Sequence, residues 1–318
     1  MKPEQVYPFL SYSSGSTLSE CPKKFQLDRL HSIVYNLTRD PQHNRRDNNV
    51  TLSFGSALGE GVQAQLRGEG FNKSVLRAAM AWGVGLGESD GKKSIKTLVQ
   101  ALANFHTTVQ NLGSEWETLR LVKPDGSELI GSELGITIRL PSCSFRLYID
   151  VVMYNKINKT VVMVELKTSS APKEETYKYS LQGTLYQLAL MVLCKRYGIL
   201  PENTTVNYQV FDTKQHAWTS MPFLKTKQEY QGAIAWLMAK DRELAFYSET
   251  NVFPQVGGYS TCMAFNRTCQ FFNQCHHLPE HLLPLDVIRD DYLYDDPRAA
   301  KYPNMIEISL AELAEGAN

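Results

Sequence analysis

The pattern of apolar and polar residues between Arg146 and Tyr186 predicts a β-hairpin followed by a helix. Two short apolar runs rich in β-branched residues flank a polar turn at Asn155–Lys159, and this combination is typical of a strand, a turn and a second strand. From about Lys173 to Arg196, apolar residues recur at helical spacing, which predicts one long helix.

Three charged residues interrupt this hairpin: Asp150 in the first run, and Glu165 and Lys167 in the second. Residues two apart on a strand share a face, so Glu165 and Lys167 point the same way. Asp150 joins them only if the numbers of paired residues have an odd sum, or if a bulge intervenes. A buried carboxylate is costly unless it is paired, hydrogen-bonded or bound to a metal.

Two carboxylates and a lysine at one sheet edge suit a magnesium-dependent phosphodiesterase, because oxygen ligands hold the cation and a nearby ammonium orients the attacking water. The alternative is a hairpin whose charges simply lie on its solvent-exposed face.

The remaining elements follow from the same patterns. A strongly amphipathic helix is predicted over Lys92–Leu112, and strand character is visible within Ser114–Leu140. Further helices are predicted at Phe54–Arg67 and Gln228–Tyr247, and a further strand pair at Thr204–Phe211 and Ala217–Met221.

The charge balance is even over the whole chain but uneven along it. The 318 residues include 33 basic and 33 acidic side chains, so nucleic-acid binding requires local patches rather than bulk attraction. Lys23–Arg46 has a local net charge of +4. Residues 286–318 have a net charge of −5, which predicts a solvated acidic extension or a protein-docking segment.

No apolar run reaches the length of a membrane span, and Met1–Leu10 does not resemble a signal peptide. We therefore expect a cytosolic protein with no membrane association. In a reducing compartment, the six cysteines are better suited to metal ligation than to disulfides.

Three cysteines lie together near the C-terminus, as Cys262, Cys269 and Cys275 in a C-x6-C-x5-C arrangement. Zinc is one interpretation, although structural zinc sites favour shorter C-x2-4-C pairs. Buried thiols that bind nothing are another. Cys143 and Cys194 have no such neighbours in sequence, and we interpret them as core thiols.

The order of Asp150, Glu165-Leu166-Lys167 and Gln182-Gly-Thr-Leu-Tyr186 resembles the D…E-x-K…Q-x-x-x-Y core of the RecB branch of the PD-(D/E)XK nuclease superfamily. Cys21-Pro22-Lys23-Lys24-Phe25 and the closing C-x5-C pair are similar to segments of the iron–sulfur members of that branch, namely AddB-like and CRISPR-associated exonucleases and their phage relatives.

This resemblance implies an α/β, restriction-endonuclease-like fold with a central mixed sheet flanked by helices. It implies one nuclease domain over residues 1–285, with helical insertions, followed by the acidic extension at 286–318. Its termini would be joined by a 4Fe–4S cluster on the four cysteines Cys21, Cys262, Cys269 and Cys275.

The implied activity is Mg²⁺- or Mn²⁺-dependent hydrolysis of DNA, as an exonuclease on single strands or duplex ends in recombination, repair or phage DNA processing. Asp150 and Glu165 would hold the metal, joined by Glu133, although an exposed edge-strand glutamate is the alternative for Glu133. Lys167 would position or deprotonate the water, and Gln182 and Tyr186 would hold the DNA strand.

Two departures from the family pattern keep other functions open. Gly59 occupies the position of the histidine in the family's G-x-x-x-H helix, and C-x6-C replaces the commoner C-x2-C step. The second hypothesis is therefore a nuclease-fold DNA-binding or regulatory subunit that does not cut. The third is a zinc-stabilised module that binds DNA ends.

Overall fold

The computed structural model describes residues 9–27, 50–82, 92–123, 125–200, 203–250, 252–263, 268–269, 271–272, 275 and 305–317. Most of the basic segment Lys23–Arg46 and residues 286–304 of the predicted acidic extension lie outside these ranges, so the structure is silent on them.

The described strands are β1 to β10 in chain order: Leu10–Ser11, Trp116–Thr118, Arg120–Val122, Glu128–Ile130, Ser132–Arg139, Ser144–Asn155, Val161–Ser169, Thr204–Asp212, Ala217–Phe223 and Ile306–Ser309. The described helices, here numbered α1 to α10, are Tyr12–Glu20, Pro22–Phe25, Val50–Leu66, Phe71–Trp82, Ile95–Gln110, Glu174–Lys178, Leu181–Arg196, Lys227–Thr250, Tyr259–Cys262 and Leu310–Gly316. The fold is mixed α/β, with a mixed sheet flanked by helices, as predicted.

The chain divides into two compact units. The first comprises Met1–His43, Ile136–Leu147 and Ile234–Ala311, and the second comprises Asn44–Gly135, Tyr148–Ala233 and Glu312–Asn318. The predicted site residues Glu133, Asp150, Glu165, Lys167, Gln182 and Tyr186 all belong to the second unit, whereas the four predicted cluster cysteines belong to the first.

In the second unit, β7 lies between an antiparallel and a parallel neighbour. It pairs antiparallel with β6 and parallel with β8, and β9 adds an antiparallel edge beside β8. Thr118 and the rest of β2 pair antiparallel with β6. A strand flanked on both sides cannot shift its register without losing hydrogen bonds to both neighbours, so the side chains of β7 are held on defined faces.

Three helices cover one face of this sheet. Phe54, Leu58 and Val62 of α3, Leu98, Leu102 and Phe105 of α5, Trp82 of α4 and Phe211 of β8 form one buried apolar cluster. Full burial of each such side chain contributes about 1.5–3 kcal/mol. The helix predicted at Lys92–Leu112 begins at Ile95, because the Ser94 hydroxyl caps it by accepting the Thr97 amide at 3.2 Å.

The helix predicted from Lys173 to Arg196 is two helices, so that prediction was wrong in its continuity. A short α6 ends at Lys178, and Ser180 adopts an extended conformation with ψ 117° before α7 begins. The Ser180 hydroxyl accepts the Gly183 amide at 3.4 Å. A serine cap with extended backbone starts a new helix rather than continuing the old one.

The described part of the predicted acidic extension is folded, which corrects the expectation of a solvated segment for these residues. In the first unit, β10 pairs parallel with β5, with Ile306 opposite Ile136. In the second unit, Leu313 is fully buried, and Glu312 forms an ion pair with Arg196 of α7 at 2.6 Å. No described helix is long and apolar enough to cross a membrane.

Candidate active site

The hairpin of β6 and β7 brings Asp150 and Glu165 to one sheet face. Val151 pairs with Val164 and Tyr154 pairs with Val161, so paired residue numbers have an odd sum. The next position in the same register places Asp150 opposite Glu165, and directly opposed residues share a face. The predicted odd register is therefore confirmed, and it meets the geometric condition for a shared site.

The pairing of β6 with β7 ends at Val151 and Val164, and Asp150 lies directly beyond it. Its Oδ2 accepts the backbone N–H of Leu166 at 3.0 Å, while Leu166 and the following residues of β7 continue to pair with β8. A carboxylate that accepts a backbone N–H is fixed in orientation, so Asp150 has a defined position beside Glu165.

Glu165 is the buried carboxylate of the pair, with 3% of its surface exposed. Its Oε1 accepts the Lys167 ammonium at 2.6 Å and the Gln182 amide at 3.1 Å. Its Oε2 is buried and has no hydrogen-bond partner among the described residues. Burial raises the pKa of Glu165 to about 7; Lys167 opposes this rise, and the charge of Asp150 adds to it.

Lys167 lies between the buried carboxylate and the surface, with 35% of its side chain exposed. Burial by itself would lower the pKa of Lys167, but the attraction of Glu165 and Asp150 outweighs burial and raises it. Lys167 is therefore a cation throughout the neutral range. Its ammonium also lies 3.5 Å from the Gln182 carbonyl oxygen.

The first turn of α7 completes the group. The Gln182 amide donates to Glu165 and also to the Tyr186 hydroxyl at 2.9 Å. Tyr186 is 6% exposed, and burial together with the charge of Glu165 raises its pKa well above the ordinary value. The four-residue spacing places both side chains on one helix face, so the predicted glutamine and tyrosine do meet the predicted glutamate.

The carboxylates have the chemistry of a divalent-cation site. The unpartnered Oε2 of Glu165 is buried, which is costly unless a cation satisfies it. Two hard oxygen donors suit Mg²⁺ or Mn²⁺, which commonly bind through one or two carboxylates and keep several waters. Within the described ranges, no three His, Cys, Asp or Glu residues lie close enough together to hold a metal ion.

The family assignment follows from comparison with known proteins. The sequence model of the PD-(D/E)XK nuclease superfamily matches residues 9–276, which is most of the chain. The chain belongs to the PD-(D/E)XK nuclease superfamily.

Other comparisons add little to this assignment. A crystal structure described as "Putative exonuclease" from Eubacterium rectale matches with a TM-score of 0.48 and 10% identity, over 92% of this chain and 99% of that chain. A search of curated proteins gives no significant match.

Glu133 was predicted as a third metal ligand. Its charged neighbours differ from those of Glu165. The charges that shift the pKa of Glu165 are those of Lys167 and Asp150, whereas Glu133 contributes to the raised pKa of Arg77. Glu133 also has a left-handed backbone, with φ 55°. Metal ligation by Glu133 stays a prediction.

A cleft of about 370 Å³ lies where many superfamily members carry a histidine. It lies between α3 and the end of β7, and its lining includes Gly55, Gly59 and Lys167. A side chain added at Gly59 would meet no atom within 4 Å. The departure from the family pattern therefore leaves open space beside Lys167.

The four predicted cluster cysteines are brought together in the first unit. Cys21, Cys262, Cys269 and Cys275 line one cavity of about 20 Å³, and the Cys269 amide donates to the Cys262 carbonyl at 2.7 Å. Burial raises the pKa of Cys275, and the other three thiols together raise it further. Cys143 and Cys194 are buried elsewhere.

Two tyrosines near the site were not predicted. Tyr208 of β8 lies opposite Glu165 in the parallel pairing and is 1% exposed. The Tyr177 ring of α6 lies 5.1 Å from the Tyr208 ring. Burial raises the pKa of Tyr177, and the charge of Lys167 opposes this rise. Local patterns gave no signal for them, because only the pairing of β7 with β8 brings Tyr208 to Glu165.

Proposed function

We propose that this PD-(D/E)XK protein is a Mg²⁺- or Mn²⁺-dependent deoxyribonuclease that acts as an exonuclease on single strands or duplex ends. The observation that carries the proposal is the unpartnered, buried Oε2 of Glu165 beside Asp150. A divalent cation held there by Asp150 and Glu165 would neutralise phosphate charge and activate water when bound.

We infer that Lys167 serves this reaction as an ammonium that positions the water or the phosphate. In the metal-free site the attraction of the two carboxylates raises its pKa, and its ammonium lies 2.6 Å from Glu165. With a third of its side chain exposed, its ammonium can donate to a phosphate oxygen or orient the attacking water. Such electrostatic groups typically contribute about 10²–10³ in rate.

The first role of Gln182 and Tyr186 in this proposal is to hold the Glu165 carboxylate in position. Both N–H directions of the Gln182 amide are used, one by Glu165 and one by Tyr186. We infer that Gln182 fixes the orientation of Glu165, and that contact with the DNA strand would come from the outer side of this pair. A positioned ligand loses less freedom on metal binding, which favours affinity.

We further propose that the four clustered cysteines hold a 4Fe–4S cluster, which makes this chain an iron–sulfur member of the RecB-like branch. Four thiols on one cavity match the ligand number of such a cluster. In a 4Fe–4S cluster each thiolate binds a different iron. Structural zinc sites favour short C-x2-4-C pairs, and the C-x6-C-x5-C arrangement contains none.

A second candidate, a nuclease-fold subunit that binds DNA without cutting it, is favoured by Gly59 alone. The open space at this position removes one contact that family members have. The assembled Asp150, Glu165 and Lys167 favour the enzyme, because a binding subunit has no need for a buried carboxylate with an unsatisfied oxygen.

The test is digestion of DNA labelled at either end, with the opposite end free or blocked, in Mg²⁺, Mn²⁺ or EDTA. Asp150→Asn should lose cleavage through loss of metal and recover part of it with excess Mn²⁺. Lys167→Ala should lose about 10²–10³ in rate with little loss of DNA affinity.

Lys156→Ala is the matched control, because Lys156 lies in the turn of the same hairpin and its side chain is 47% exposed. Its cleavage should equal that of the wild type. Binding of DNA without cleavage in any metal would favour the second candidate. Cleavage that persists unchanged in Asp150→Asn and Lys167→Ala would remove this site from the mechanism.

A further inference from the structure

A strongly exposed aromatic side chain lies directly before α7, the helix that carries Gln182 and Tyr186. Tyr179 occupies the break between α6 and α7 and exposes 72% of its surface. Single exposed apolar residues are common on protein surfaces, so exposure alone assigns no role. The surroundings of Tyr179 and its distance from Glu165 give the argument.

The segment that carries Tyr179 is anchored on both sides. The Lys225 side chain is 1% exposed and donates to the backbone carbonyl of Lys178 and to Glu229. Tyr177 packs on Tyr208, with ring centroids 5.1 Å apart. A rigid backbone presents an aromatic ring at low entropic cost, because little motion is lost when a ligand binds.

Tyr179 is also close to the proposed scissile position. Tyr179 lies three positions before Gln182, so the Cα atoms of the two residues are at most about 11 Å apart. The Gln182 amide contacts Glu165 at 3.1 Å. We therefore infer that a strand whose phosphate lies at Glu165 can bring a neighbouring base to the Tyr179 ring.

We propose that Tyr179 is a stacking platform for an unpaired base next to the scissile phosphate, a role that rests on the proposed nuclease function. Through this contact, Tyr179 would favour single-stranded DNA, or the frayed strand at a duplex end, as the substrate. Bases within a duplex have both faces covered by their neighbours, so only an unpaired base can stack on the ring.

The charges of residues 173–179 cancel, so a contribution of this segment to DNA binding would come from stacking rather than from attraction to the phosphates. Lys173 and Lys178 are balanced by Glu174 and Glu175, so residues 173–179 have no net charge to release counterions from DNA. The Lys178 ammonium lies 5.8 Å from the Tyr179 ring centroid, where it makes a cation–π contact with the ring.

The experiment measures binding of fluorescent oligothymidine and of a blunt hairpin duplex by anisotropy, in EDTA, at two salt concentrations. Tyr179→Ala should weaken single-strand binding by about 5- to 150-fold, the equivalent of 1–3 kcal/mol per stacked base. The factor should be the same at both salt concentrations, and duplex affinity should not change. Tyr179→Trp and Tyr179→Phe should retain single-strand affinity.

Tyr154→Ala is the matched control. Tyr154 also lies beside a lysine, with Lys159 at 5.8 Å from its ring centroid, but it is at the turn end of the hairpin. Tyr154 lies four positions along the strand from Asp150, a distance of about 13 Å. Its removal should leave both affinities unchanged.

An unchanged single-strand affinity in Tyr179→Ala, or an equal loss on single strand and duplex, would overturn the stacking role while leaving the nuclease proposal intact. Failure of Tyr179→Phe to retain affinity would also overturn it, since the phenyl ring keeps the stacking face. If the wild-type protein neither binds nor cleaves DNA, the proposed function and this role both fall.

Discussion

Replacing Lys167 by methionine should make the stability of the protein depend on pH between pH 7 and pH 9. In the wild type, burial raises the pKa of Glu165 to about 7, and the Lys167 ammonium at 2.6 Å limits the rise. Methionine keeps most of the side-chain length and removes the charge. Glu165 then keeps burial and the repulsion of Asp150 without a compensating cation, so its pKa rises further.

The sign follows from proton linkage. When folding raises the pKa of a carboxyl group, the free energy of unfolding falls as pH rises through the window between its two pKa values. The window begins at the pKa of the unfolded state and ends at the pKa of the folded state. In the wild type the fall stops near pH 7, whereas in Lys167→Met it continues above pH 7. The raised pKa of Lys167 itself adds stability that is constant over this window, because it is lost only at more alkaline pH.

The magnitude is about 1.4 kcal/mol per pH unit while the group titrates, which gives an upper bound of about 2.7 kcal/mol between pH 7 and pH 9. Since about a third of the Lys167 side chain is exposed, solvent screens part of the interaction. We therefore expect the free energies of unfolding of the wild type and the variant to diverge by about 1–2.5 kcal/mol over this range.

The assay is urea unfolding in EDTA at pH 6, 7, 8 and 9. The double variant Glu165→Gln/Lys167→Met is the control, and it should lack this extra pH dependence because the titrating carboxyl is gone. Lys156→Met should behave as the wild type. A difference between the wild type and Lys167→Met that stays constant from pH 6 to pH 9 would refute the coupling of Lys167 to Glu165.

Two further outcomes test the cysteines and the entry of α7. Anaerobically purified protein should be brown with about four irons per chain. Cys21→Ser or Cys275→Ser should lose the colour and lower the melting temperature, whereas Cys143→Ser should keep the colour. One zinc per chain, or no metal, would contradict the cluster. Gly183→Ala should lower the free energy of unfolding by about 1–2 kcal/mol in urea titrations, because its Cβ would lie 2.6 Å from the buried Tyr208 hydroxyl and overpacking outweighs the gain in helix propensity. Gly232→Ala, with open space around it, should instead raise stability by about 0.5–1 kcal/mol, and equal effects at the two positions would contradict the steric argument.

The amino-acid sequence by itself determined the faces of the hairpin. Period-two alternation put Glu165 and Lys167 on one side of β7, and it required an odd register for Asp150 to share that side. The four-residue spacing of Gln182 and Tyr186 likewise placed both on one side of a helix. These are local properties, since dihedral preferences and side-chain periodicity act over a few residues.

The tertiary structure decided the contacts that join distant segments. Only the parallel pairing of β7 with β8 sets Tyr208 against Glu165, and only the folded first unit brings Cys21 to the cavity lined by Cys262, Cys269 and Cys275. The break of the predicted long helix at Ser180 and the pairing of β10 with β5 also depended on packing. Patterns of a few residues carry no information on which strand or loop from elsewhere in the chain supplies a partner, because that choice follows from the burial of whole faces.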